Sequence, residues 1–203
     1  MAGWRVHRGQ AVALPLDNLD TDQLIPARFM SQPRAEGYGG FLLHDLRRDP
    51  AGQPDPGFPL NRHPGASILV AGRNFGSGSS REAAVYALVD AGIRAVVAPG
   101  FGDIFAANAV NNGLLPARVT AADTAALTAA LDGGAAEATV DLETGTITLG
   151  DHAIGFVLDE IWRTKLVNGW DDIDLTGRHA EDIARFRAAR RQIAPWAWPR
   201  GAA

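Results

Sequence analysis

Residues 66–99 constrain the fold more than any other stretch of this chain. Ala66–Ala71 reads Ala-Ser-Ile-Leu-Val-Ala, a short apolar run of the kind that forms a buried strand. A Gly-rich turn, Gly72 to Gly78, follows it. In Ser79–Ala91, Ala84, Ala87, Leu88 and Ala91 fall on one helical face, and Gly92 is placed to close that helix as a C′ residue. Arg94–Pro99 is a second buried strand. A strand, a helix and a strand in this order predict a parallel pair joined by a crossover helix.

The flanking segments extend that unit. Trp4 to Leu14 alternates polar and apolar residues and reads as a strand ended by Pro15. Asp17-Asn18-Leu19-Asp20-Thr21-Asp22 crowds turn-forming side chains. Residues 31–65 hold many Gly and Pro residues and read as a long irregular excursion, a kind of segment that is usually functional or mobile. A helix is expected near Gly102–Asn111, ending at Gly113, then a strand at Leu114–Val119 and a helix at Ala121–Leu131. Beyond Gly133 come a hairpin of Ala138–Leu142 and Thr146–Leu149, a short strand at His152–Val157, and helices at Asp159–Val167 and Ala180–Ile193. The tail Pro195–Ala203 is expected to fray. Gly133-Gly134 is a weak boundary signal, and the expectation is one α/β domain over residues 1–203, with a mixed sheet and flanking helices.

Composition narrows the function. The chain has no cysteine, which excludes disulfides, thiol catalysis and any iron–sulfur cluster ligated by its own thiolates. Its five His residues (His7, His44, His63, His152, His179) show no metal-ligand spacing, so no metal site of its own is expected. A formal charge of −4 argues against nucleic acid as a partner. No apolar run approaches the ~20 residues that cross a bilayer, and no hydrophobic stretch follows Arg5, His7 and Arg8. The expectation is a soluble, cytoplasmic protein with no membrane partner.

The segment richest in chemistry is Gly72-Arg73-Asn74-Phe75-Gly76-Ser77-Gly78-Ser79-Ser80-Arg81-Glu82, at the carboxyl end of a buried strand where open α/β sheets bind ligands. Glycines let backbone approach a ligand closely, and free amides of a first helical turn attract anions. Ser77, Ser79, Ser80 and the Arg81 guanidinium converge there, and Arg81 suits a bidentate grip on a carboxylate. A phosphate loop is excluded because no Lys precedes the Ser, and the hydrolase pattern G-x-S-x-G is absent. A serine hydrolase using Ser79 also lacks a recognisable His partner. The plain structural alternative is that Ser79 caps the helix, with Glu82 completing a capping box. Capping and anion binding use the same amides and are compatible.

Asp20-Thr21-Asp22-Gln23-Leu24-Ile25-Pro26, the Asn74–Glu82 run, Asp103-Ile104-Phe105, Asn112-Gly113-Leu114-Leu115-Pro116 and Asn168-Gly169-Trp170-Asp171-Asp172-Ile173 together resemble the small subunit of 3-isopropylmalate dehydratase. This family is the separate-chain counterpart of the aconitase swivel domain, and the likeness runs from about Gly9 to Leu175. The resemblance implies a swivelling β/β/α domain that closes over a large partner subunit. That partner would carry a 4Fe-4S cluster, none of it ligated by this chain. The implied reaction interconverts 2-isopropylmalate and 3-isopropylmalate by dehydration and rehydration, a step of leucine biosynthesis. Ser79 matches the family's catalytic base, while Ser80 and Arg81 match binders of a small dicarboxylate substrate. Arg34, twelve residues after Asp22, resembles a further substrate-binding Arg. Thr21 and Asp22 brace the Ser loop or form an Asx turn, and Asn74, Gly76, Ser77 and Gly78 complete the supporting set.

Four departures surround the best motif. The family usually has Cys at Ser77, His at Ala83 and Pro-Trp at Val85-Tyr86. The Ser-Ser-Arg triplet is intact, but the wall behind it is altered. Two alternatives therefore stand beside the main reading: a paralogous subunit acting on another 2-hydroxy diacid of methylmalate or homocitrate type, and a non-catalytic dicarboxylate-binding module.

Overall fold

A computed structural model describes residues 2–132 and 134–198. Among them run seven strands, β1 Val6–Leu14, β2 Ala66–Ala71, β3 Ala95–Ala98, β4 Leu115–Arg118, β5 Ala136–Asp141, β6 Thr146–Leu149 and β7 His152–Gly155. The helices are α1 Thr21–Leu24, α2 Pro59–Arg62, α3 Glu82–Asp90, α4 Asp103–Asn111, α5 Ala121–Ala130, α6 Glu160–Asn168, α7 Asp172–Gly177 and α8 Ala180–Ile193. The strands make one mixed sheet in the order β4-β3-β2-β1-β5-β6-β7. β1 to β4 are parallel, and β5 to β7 continue antiparallel from the other side of β1. The α/β class and the β2-α3-β3 crossover are as the sequence predicts.

The parallel half has cover on both faces. Leu69 and Ala71 of β2, with Val96 and Ala98 of β3, pack on one side with Ala84, Leu88 and Phe105 of α3 and α4. Their alternating neighbours Ile68, Val70, Ala95 and Val97 pack on the other side with Leu127 of α5 and Leu166 of α6. This explains why these strands read as continuous apolar runs. β5 alternates half-buried and buried residues, as expected of strands with one wet face.

Residues 31–65 are irregular, but they are anchored rather than loose. Tyr38, Leu42, Leu43, Phe58 and Leu60 are all buried in the core on the α3 side. Short 3-10 turns at Arg34–Glu36 and Gly39–Phe41 and the single turn of α2 supply the local structure. The helix α7 is not visible in the sequence pattern because none of its residues is buried, so it has no apolar period. Its start is set instead by Asp171, whose carboxylate caps Ile173 and Asp174 while Asp174 returns a bond to the Asp171 amide. Gly133 of the boundary signal and residues 199–203 of the tail lie outside the described residues. Pro195–Ala197 form a 3-10 turn.

Candidate active site

The loop between β2 and α3 is tied down from both sides. The Asn18 amide donates to the Arg73 carbonyl at 2.8 Å, and the Gly76 amide to the Leu19 carbonyl at 2.7 Å. Across the loop, the Phe75 amide donates to the Gly100 carbonyl at 3.0 Å and the Gly102 amide to the Phe75 carbonyl at 2.9 Å. The Asp17 carboxylate accepts from both the amide and Nε of Arg73. Phe75 is fully buried, edge-on to Phe101 and Phe105. Gly76 has a φ of 71°, and a Cβ there would sit 2.2 Å from the Phe105 ring. Only glycine meets both demands. The Asp103-Ile104-Phe105 motif thus contributes the ring that lies over this turn.

Thr21 is the main brace. Its amide donates to the Ser77 carbonyl at 2.9 Å and its Oγ1 to the Ser79 carbonyl at 2.9 Å. Thr21 is 2% exposed, so both bonds are sheltered from water. The α1 turn that holds it is closed by a capping box between Asp20 and Gln23. Asp22, on the next position, accepts from Nη1 of Arg81 in an ion pair. Asn74 adopts φ 58° and donates from Nδ2 to Asn18 Oδ1 at 3.0 Å.

The helix does not begin at Ser79. α3 starts at Glu82, its N-cap is Arg81 in extended backbone, and no side chain caps it. The Ser79 carbonyl accepts from Thr21 Oγ1, no amide of residues 82 or 83 reaches it, and the Ser79 hydroxyl caps no amide. Glu82 instead accepts from Asn112 Nδ2 at 2.8 Å, which ties the Asn112-Gly113 motif to the start of α3. The capping-box alternative for Ser79 therefore fails. Ser79 and Ser80 are exposed, and their hydroxyls have no hydrogen-bond partner among the described residues. The amides of residues 79–83 likewise meet no acceptor there. The corner offers two free hydroxyls, a run of unpaired donors and a guanidinium that is three-quarters buried and held by one carboxylate.

Arg34 is not brought to this corner. Its guanidinium lies over the Tyr86 ring at 3.4 Å from the centroid and 3.6 Å from Asp90 Oδ1, beside the later turns of α3. Asp90 Oδ2 also accepts the Tyr38 amide at 2.8 Å, so the same carboxylate anchors the irregular segment. Tyr86 sits between Arg34 and Glu82. Burial, with help from Glu82, pushes its hydroxyl above the usual phenol range. Asp90 gave no signal in the sequence as part of the site's frame, since it reads as an ordinary helix residue, whereas Phe105 stood in the Asp103-Ile104-Phe105 motif without a stated role. Ala83 and Val85 pack against or within the core, where the altered wall reads as a plain apolar helix face. Among the described residues no group of three His, Cys, Asp or Glu side chains could hold a metal ion.

A curled α/β sheet with a braced, donor-rich corner at the β2–α3 junction defines the class, and comparison agrees. Residues 1–122 match the model of the aconitase C-terminal domain, more than half of the chain. The small subunit of 3-isopropylmalate dehydratase from Shewanella baltica is 47% identical over 205 residues, covering 97% of this chain and 99% of that one. The corresponding protein of a Parafrankia species is 45% identical, covering 94% and 96%. A crystal structure of 3-isopropylmalate dehydratase from Methanocaldococcus jannaschii superposes with a TM-score of 0.66 at 25% identity, covering 89% of this chain and 98% of that one. The chain belongs to the 3-isopropylmalate dehydratase small-subunit family. No helix among the described residues is long and apolar enough to cross a membrane.

Proposed function

We propose that this chain is the small half of a hydro-lyase that interconverts 2-isopropylmalate and 3-isopropylmalate, with all 203 residues acting as one swivel-type domain over a large subunit. The observation that carries the reading is the exposed Ser79-Ser80-Arg81 corner, braced by Thr21 and Asp22 on a family-matching fold. A 4Fe-4S cluster held by the large subunit would supply Lewis-acid chemistry toward the departing hydroxyl. With no cysteine in this chain, the ligands of that cluster come from the partner.

Ser79 Oγ takes the proton from the carbon beside a substrate carboxylate and returns one in the reverse direction. A serine hydroxyl is a very weak acid, so its deprotonated form needs positive potential and exclusion of water. The unpaired amides of residues 79–83 and the Arg81 guanidinium supply the first. Closure of the large subunit over the exposed corner supplies the second. Arg81 has five N–H donors and gives one nitrogen to Asp22, which leaves the others for a diacid carboxylate. Ser80 adds a hydroxyl donor beside it. Asn74, Gly76, Ser77 and Gly78 shape the turn that presents the triplet. Arg34 contacts the diacid only after exchanging Asp90 for it, so its role is secondary to that of Arg81.

The test is reconstitution with the purified large subunit, followed by the appearance of the unsaturated diacid in the ultraviolet. The chain alone should show no turnover. Ser79→Ala should lower kcat about 10²–10⁴-fold with an unchanged melting temperature, the usual scale for losing a positioned base. Near-normal turnover of Ser79→Ala removes Ser79 from the chemistry.

A further inference from the structure

Helix α8 carries an apolar stripe that no surface among the described residues covers. All fourteen of its residues are exposed, and its main packing partner is the short turn at Pro195–Ala197 that follows it. A helix of this length is marginal in water without tertiary burial. The contacts of Asp182 with His179 and Arg185 are local and exposed, and pairs of this kind add little to a helix. Yet the helix carries Ile183, Phe186 and Ile193, and Phe186 and Ile193 are 69% and 77% exposed. At 3.6 residues per turn these three side chains lie within an arc of about 80°. Trp198 covers a different side of the helix, against Arg187 and Arg191. Trp196, just beyond, is 81% exposed. An amphipathic helix with an uncovered apolar stripe and an aromatic anchor is the form that lies in a partner's groove.

Charge says what kind of groove. Residues 180–198 carry Arg185, Arg187, Arg190 and Arg191 against Glu181 and Asp182, while the chain as a whole is at −4. The basic end of an acidic protein is steered towards a carboxylate-lined surface. We infer that α8 and the 195–198 turn are a docking arm for the large subunit, seated in an apolar groove of that subunit whose rim is acidic. This rests on the hydro-lyase reading for the identity of the partner. The arm lies outside the Ser79 corner, so it sets affinity and leaves the chemistry of that corner untouched.

Hydrogen–deuterium exchange on the unmodified chain, alone and with the purified large subunit, reads the arm directly. Amides of residues 180–193 should exchange fast in the free chain and slow at least tenfold in the pair. The variant Phe186→Ala with Ile193→Ala should raise the Kd for the large subunit at least tenfold, with the free chain melting as before. Changing Arg187, Arg190 and Arg191 to Glu should weaken binding and flatten its salt dependence. Fast exchange of α8 in the pair together with an unchanged Kd overturns the proposal. So does slow exchange in the free chain that grows with concentration, which marks a second copy as the occupant. If the parent pair binds but turns over no isopropylmalate, the hydro-lyase reading fails while the docking result stands.

Discussion

The corner at residues 72–81 and helix α8 both face solvent, and they do so for opposite reasons. At the corner the backbone is locked: Phe75 is fully buried, Gly76 lies under the Phe105 ring, and Thr21 holds two carbonyls. The side chains of Ser79 and Ser80 are exposed with no hydrogen-bond partner among the described residues, whereas the exposed Arg73 and Asn74 are tied to Asp17 and Asn18. In α8 the backbone is regular but none of its own residues is buried. The first is exposure prepared by a rigid frame, as a reactive group needs. The second is exposure awaiting a partner, since a solitary apolar stripe has no other stable place.

The contrast is sharpest in what each region does for stability. Gly76→Ala puts a Cβ into an aromatic ring at positive φ, and we expect it to cost about 2–4 kcal/mol, read as a lowered urea midpoint. Thr21→Val keeps the shape and removes the bond to the Ser79 carbonyl, for an expected loss of about 1 kcal/mol. Because that bond orients the Ser79 backbone, kcat of the reconstituted pair should fall further than this loss of stability accounts for. Ending the chain after His179 should move the melting temperature of the free protein by less than about 2 °C, because none of the residues of α8 is buried. A large drop on that truncation would break the comparison by showing that the arm belongs to the core.

A smaller effect comes from β1, remote from both regions. His7 donates to or accepts from Ser67 Oγ at 2.8 Å, and burial, reinforced by Arg94, holds its pKa below 6.5. The folded chain thus prefers the neutral ring. Its contribution is full above pH 6.5 and is lost as acidification charges the unfolded chain first. Unfolding free energy should decline slightly between pH 7.5 and pH 5.5, and His7→Gln should flatten that slope in paired denaturant titrations.

Much of the fold was legible because burial on both faces leaves unmistakable apolar runs. Ala66–Ala71, Thr146–Leu149 and Ala180–Ile193 have the bounds that pattern alone predicts, and the other strands and long helices differ by a few residues at their ends. The beginning of α3 was misjudged because a Ser three residues before a Glu looks like a cap in isolation. In the fold the backbone stays extended at Arg81, and the Ser79 carbonyl is bonded to Thr21, fifty-eight residues away. Residues 31–65 are irregular as their composition predicts, but their anchoring is not legible in it: their few apolar side chains have no period, yet they enter the core one by one. Of the candidate site, Thr21, Asp22, Asn74, Gly76 and Arg81 meet at the corner, whereas Arg34 is held apart by Asp90 and Tyr86.

Sequence by itself determined the element order, the parallel crossover and the motif that places the chain in its family, because those follow from local periodicity and from residue types at short spacing. Tertiary structure alone decided which hydroxyls stay free, which carbonyl Thr21 captures, where Arg34 rests and that α8 has no cover. Each of those is a contest between groups far apart in the chain for the same hydrogen bond, charge or apolar surface, and only the folded arrangement settles who meets whom.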